Sequence, residues 1–171
     1  MIKHGQLIIR PLEEQQIVAT SRLIKQSWQI AYRDILPNDQ LTQLDEQFWQ
    51  KSLLTTGRYN LVMTSQNKIL GVVSYGKTRS VEDGTGELMA IYILPNQAGK
   101  GIGTHLLKNA EKGLKSLGYS HFVLWVLAQN KPAIKFYEAH GWQYNGKQQK
   151  KIILNRKVKL LQYEKIIISD K

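Results

Sequence analysis

Apolar residues recur along this chain in two rhythms, and the changes from one to the other mark the expected elements. Residues 6–10 read as a first strand, and Pro11 with Glu13 and Glu14 then opens a helix. Proline suits a first helical turn, and acidic side chains oppose the dipole there. Ile17, Ile24, Trp28, Ala31 and Ile35 follow at helical spacing and share one face, so the helix is expected to run to about Tyr32. Pro37 ends it. Asn38 or Asp39 can cap a second helix that carries Leu41, Leu44 and Phe48 inward, with Gly57 as its stop.

Residues 59–64 and 69–75 are rich in strand formers and are separated by SQNK, the pattern of an antiparallel hairpin. A polar loop at 77–85 leads into a strand at 87–94, a helix at 102–117, a strand at 121–127 and a helix at 132–140. Gly118 and Gly141 follow the two helices, where a left-handed cap favours glycine. Residues 142–168 read as two strands with a turn near 155–157. Most strands are joined as hairpins, so the expected fold class is α+β. It would hold one mixed sheet of about seven strands flanked by about four helices, in a single domain over residues 1–171.

Composition narrows the class. A chain of 171 residues with 42% hydrophobic residues suffices for one sizeable core. Its longest apolar run, 122–128, is too short for a bilayer, and no apolar stretch of signal-peptide length stands near Met1, so a soluble, cytoplasmic protein without membrane partners is expected. The absence of cysteine removes disulfides and thiol nucleophiles. The formal charge of +11 favours anionic partners without identifying one. Lys147, Lys150, Lys151, Arg156, Lys157, Lys159 and Lys165 carry much of it late in the chain, whereas Asp34, Asp39, Asp45 and Glu46 make an early segment acidic. A solvated basic face accounts for the late lysines more simply than nucleic-acid binding, since no aromatic-rich basic strand accompanies them.

The most specific stretch is 86–141. Gly99, Gly101 and Gly103 alternate where a strand gives way to a helix, so backbone N–H groups can turn toward an anion. The helix start adds its partial positive charge, and Lys100, Thr104 and His105 supply further donors. A phosphate is the expected guest. No GK[ST] triplet exists for a P-loop, and Thr104 stands where a dinucleotide fingerprint needs its third glycine. A nucleotide-containing ligand therefore survives, while ATP hydrolysis and NAD binding do not.

YILPNQAGKGIGTHLL followed by LWVLAQNKPAIKFYEAHGW closely resembles the GNAT family of N-acetyltransferases. The family's acyl-CoA motif is Q/R-x-x-G-x-G/A, and its next segment carries N-x-x-A-x-x-F-Y-x-x-x-G-F/W. With Gly101 and Gly103 aligned, the first motif position falls on Ala98, and Gln97 stands one place early. The resemblance is strong over 86–142 and weaker at WQIAYRDILP and KLLQYEKII.

It implies a sheet splayed between strands 87–94 and 121–127, with acetyl-CoA as cosubstrate. The pantetheine arm would pair with Ile91, Tyr92 and Ile93, and the pyrophosphate would rest on Ala98, Gly99, Lys100, Gly101, Ile102, Gly103 and Thr104. Asn130, Ala133 and Phe136 would complete the cofactor site, and Asn130 can also cap the helix at Pro132. Tyr137 matches the family tyrosine that protonates the departing thiolate, and the alternative for it is packing against the sheet. Glu87 resembles the glutamate that deprotonates the acceptor, often through water; a solvated or lysine-paired glutamate is the alternative, with His121 in reserve.

The oxyanion would meet a backbone N–H near Ile91 to Ile93, aimed inward by a bulge. Acceptor contacts fall to Trp28, Tyr32 and Asp34, which suit a cationic amine of a small molecule or peptide. The basic late strands suit an anionic acceptor group instead. The four histidines show no metal-ligand spacing, so no metal is expected. A homodimer is compatible with these readings. The competing reading is a non-catalytic acyl-CoA-binding regulatory module, supported by Ala98 alone.

Overall fold

A computed structural model describes residues 6–79 and 84–168. The expected loop at 77–85 therefore lies partly outside the described residues. The elements run β1 (Ile8–Pro11), α1 (Ile17–Ala31), α2 (Asn38–Leu41), α3 (Glu46–Leu53), β2 (Arg58–Ser65), β3 (Lys68–Lys77), β4 (Gly86–Ile93), α4 (Ile102–Ser116), β5 (His121–Leu127), α5 (Lys131–Ala139), β6 (Gln143–Ile153) and β7 (Arg156–Ile166). Short 3-10 turns precede α1 and follow β4. The strands form one seven-stranded sheet in the order β1-β2-β3-β4-β5-β7-β6, antiparallel throughout except for β4 beside β5. The expected mixed sheet is thus what the chain builds.

Two details at the amino-terminal helices differ from expectation. The region after Pro37 forms two short helices, and the side-chain cap is Asp45, whose Oδ1 accepts from the Gln47 N–H at 2.9 Å. On α3 it is Trp49 and Leu53 that face inward, while Phe48 is 67% exposed. Ala31 likewise lies on the exposed side of α1, and Leu23 and Ser27 are buried.

Turn chemistry fixes the hairpins. Gln66 and Asn67 join β2 to β3, and Leu154 and Asn155 join β6 to β7, each pair with both φ values positive. Two consecutive left-handed residues match the twist of antiparallel strands. The second turn falls one residue earlier than the sequence suggests.

Helices cover both faces. Leu106, Leu107, Ala110 and Leu114 of α4 pack with Val73, Leu88, Phe122, Leu124 and Ile134 on one side. Leu23 and Ile24 of α1 pack with Trp49, Val62 and Val72 on the other. A third cluster seals the α1–α2 junction onto the ends of β5 and β7 through Ile35, Leu36, Leu41, Leu127, Val158 and Leu160. Alternation along β4 therefore sends Ile91 and Ile93 toward α4 and Tyr92 toward α1.

Candidate active site

The parallel pair at the centre of the sheet is the shortest pairing in it. β4 meets β5 only at Gly86↔Phe122 and Glu87↔Val123, and the two strands then separate. Beyond Glu87 one edge of β4 is unpaired, and it offers backbone donors and acceptors to an extended ligand. A register shift between Ser74 and Tyr75 sets Leu88 and Ala90 opposite them, which leaves Met89 as the extra residue. The bulge expected near Ile91 to Ile93 is therefore at Met89, because cross-strand register determines its place. It turns the backbone where the strands begin to part.

At the carboxyl end of β4 the chain enters the glycine turn. Gly99 and Gly101 have φ values of +78° and +81°, and a Cβ on either would meet open space. Their requirement is conformational, since the left-handed region strains other residues. Gly103 has another reason: a Cβ there would come within 2.9 Å of Ile93 Cδ1 and 3.3 Å of the Phe136 ring. α4 can approach β4 and α5 closely because that side chain is missing.

No side chain caps α4, and the first backbone N–H of its opening turn to find an acceptor is that of His105, on the Gly101 carbonyl at 3.2 Å. The N–H groups from Gly99 to Thr104 thus remain available to an anion, with the helix dipole behind them. Ile102 contributes only its backbone, since its side chain is buried in the core. The Lys100 Nζ reaches Gln97 Oε1 at 3.3 Å, and Ala98 is exposed on extended backbone. Thr104 Oγ1 lies 3.0 Å from His140 Nε2.

α5 closes the opposite side. The Asn130 Oδ1 accepts from the Ala133 N–H at 3.4 Å, so its capping role is realised. Phe136 stacks among Gly103, Tyr137 and His140. Tyr137 is partly buried against the core on the α4 side of the sheet.

Across the gap, on the α1 side, Trp28 packs edge-on to Tyr32 with centroids 4.9 Å apart and donates its Nε1–H to the Tyr92 hydroxyl at 3.0 Å. Burial pushes the Tyr137 phenol well above its ordinary pKa, and neighbouring Tyr92 adds to the rise. Tyr32 is raised in the same way by burial, then by Tyr92 and Tyr137. Burial also raises Tyr92, against the opposing effects of the Trp28 hydrogen bond and the Arg58 and Arg79 charges. Tyr137 packs with the core on the α4 side, Tyr92 and Tyr32 with the clusters on the α1 side, and the phenols influence one another electrostatically. All three phenols stay protonated at neutral pH.

Glu87 is buried at the closed end of the opening, and Arg79 holds it. Oε2 accepts from Arg79 Nε at 2.9 Å and also from Nη2, while Oε1 accepts from the Arg79 backbone N–H at 3.2 Å. The partner is an arginine, not a lysine, and it comes from the polar loop, where no periodic signal marks it. Arg58 stands nearby, tied to Ser52 and Ser74 at 2.7 and 2.9 Å. His121 is engaged by Glu164 at 2.7 Å, at the end of β5 away from the opening. Asp34 is exposed, whereas Trp28 and Tyr32 are partly buried. Among the described residues no group of three histidines or carboxylates could hold a metal ion, and no helix is long and apolar enough to cross a membrane.

Residues 21–142 match the Acetyltransferase (GNAT) family. A Bacillus subtilis protein described as the uncharacterized N-acetyltransferase YuaI is 32% identical over 138 residues, which cover 78% of each chain. The fold is shared with the PaiA N-acetyltransferase of Thermoplasma acidophilum solved in complex with coenzyme A, at 20% identity and TM-score 0.74 over 94% of this chain and 99% of that one. It is also shared with the ribosomal-protein-S18-alanine N-acetyltransferase of Escherichia coli, at 18% identity and TM-score 0.72 over 97% of each chain.

Proposed function

The chain belongs to the GNAT family of acetyltransferases, and from that premise we propose that it moves an acetyl group from acetyl-CoA directly to a primary amine of a small molecule or peptide. The observation that carries the reading is the coincidence of three features at one opening: an unpaired β4 edge, a backbone anion cradle at 99–104 and the Tyr137 phenol. The cradle suits a pyrophosphate in charge and shape, and the strand edge suits the amide-bearing pantetheine arm.

Direct transfer places three demands on the protein. The acceptor amine must lose a proton, since an amine of lysine type has a pKa of about 10.4 and is almost wholly charged at pH 7. Glu87 serves as the base, through water, with Arg79 fixing its orientation. The developing oxyanion needs a donor that is already in place, and a β4 backbone N–H beside the Met89 bulge supplies it. The departing thiolate needs a proton, which Tyr137 holds because its burial keeps the phenol un-ionised. Trp28, Tyr32 and Tyr92 line the acceptor's approach from the α1 side.

A panel of amines and lysine-containing or free amino-terminal peptides, incubated with acetyl-CoA, tests this. Acetyl mass gain with stoichiometric thiol release is expected for at least one class. Tight acetyl-CoA binding with no transfer to any amine would replace the enzyme with a regulatory acyl-CoA-binding module.

A further inference from the structure

His140, the residue that closes α5, connects two elements of the cradle. Its Nδ1 lies 2.7 Å from the Phe136 carbonyl, and its Nε2 lies 3.0 Å from Thr104 Oγ1. A carbonyl only accepts, so Nδ1 must carry hydrogen. In the neutral ring Nε2 is then an acceptor, and the Thr104 hydroxyl spends its single proton on it. A threonine so engaged turns lone pairs toward any anion in the cradle.

Protonation of the ring reverses that polarity. Nε2 then donates to Thr104 Oγ1, and the hydroxyl proton is released to point at a phosphate oxygen. We propose that His140 is a positioning residue of the phosphate cradle, setting the donor direction of Thr104 so that acyl-CoA binding takes up a proton. The proposal rests on the acyl-CoA reading given above.

The other charges around the ring do not substitute for it. From β7, Lys165 Nζ donates to the His140 carbonyl at 2.9 Å and pairs with Glu111 of α4 at 3.0 Å, so these two charges offset each other. The Glu111 Oε1 also accepts from Trp142 Nε1 at 3.0 Å. On α5 itself, Glu138 accepts from the Tyr163 hydroxyl at 3.1 Å, and the Phe136 ring packs tilted against the imidazole at 4.6 Å between centroids. His105, adjacent to Thr104 on α4 and exposed, is the other histidine nearby.

The sign follows from linkage. A ligand that prefers the protonated ring binds most tightly on the acidic side and weakens as pH rises through the titration of the complex. The probe is dephospho-CoA, because the 3′-phosphate of CoA has a second ionisation near pH 6 and would mask the effect. Calorimetry in buffers of different ionisation heat should show proton uptake on binding. The dissociation constant should rise about tenfold between roughly pH 5.5 and 8.5, the scale of one hydrogen bond to a charged group. His140→Gln should flatten the profile, and Thr104→Val should remove most of the slope.

A flat wild-type profile without proton uptake overturns the proposal while leaving the acyl-CoA reading intact, as does a slope that persists in His140→Gln. Failure of the wild-type protein to bind dephospho-CoA or CoA at any pH overturns the acyl-CoA reading, and this proposal with it.

Discussion

Arg79 reaches the buried carboxylate of Glu87 with its backbone N–H, its Nε and its Nη2, so both carboxylate oxygens are engaged at the closed end of the β4–β5 opening. A carboxylate so held has the fixed orientation that the proposed base needs. Glu87→Gln should abolish the acidic limb of the pH profile of kcat/KM and lower kcat/KM on the scale of general-base catalysis, about 10²-fold or more. Arg79→Gln keeps the carboxylate and should keep the limb, with the loss falling on positioning. An acidic limb unchanged in Glu87→Gln rejects Glu87 as the base.

Tyr137 tests the other half of the proton transfer. Burial raises its pKa above the ordinary phenol range, so the group stays protonated as pH rises through neutrality and well into the alkaline region. No basic limb of kcat below about pH 10 should therefore belong to it. Tyr137→Phe should lower kcat by about 10²-fold with little change in acetyl-CoA affinity, as measured by single-turnover kinetics and equilibrium binding. Equal turnover at saturating substrate would leave Tyr137 only its packing against Trp142 and Phe136.

Ala98 departs from the family motif at an exposed position beside the cradle. Ala98→Arg adds a cation there and should tighten CoA binding several-fold at low salt, less as ionic strength screens the charge. Gly101→Ala, in contrast, forces a side chain into a φ of +81° at the start of α4. It should cost about 1–2 kcal/mol of stability and also weaken CoA. Calorimetric binding and thermal melts on the two variants separate charge from backbone shape.

Legibility followed the range of the forces involved. The stretch 86–141 could be read because its signals are local: positive φ at Gly118 and Gly141, Asn130 at a cap and apolar residues of α4 at helical spacing each act within a turn or two of chain. Features that depend on distant partners were not readable. The bulge at Met89 comes from register against β3. The inward side of α3 depends on Trp49 meeting Trp28, with centroids 5.6 Å apart. Arg79 lies in a loop without periodicity, and its importance is visible only once Glu87 is found buried beside it. Asp34 has the right chemistry for an amine, but its side chain is exposed, while Ile35 and Leu36 beside it are the residues buried in the core.

Gly113 sets a local rule against a tertiary one. It lies inside α4, where replacement by alanine ordinarily stabilises an exposed helix by up to about 1 kcal/mol. In the fold a Cβ at this position would come within 2.3 Å of Tyr75 Cζ and its hydroxyl oxygen. Tyr75 is buried, and its ring stacks on Tyr59 at 5.5 Å between centroids, so it can yield only by disturbing β2 and β3 together. Overpacking of this kind costs about 1–3 kcal/mol, which exceeds the helix gain. Gly113→Ala should therefore lower Tm by a few degrees, on the scale of about 2–4 °C per kcal/mol for a domain of this size. Because Tyr75 belongs to the strand that registers the Met89 bulge, kcat should fall as well. A thermal melt showing increased stability would mean that Tyr75 moves freely and that the α4–β3 contact is looser than its geometry indicates.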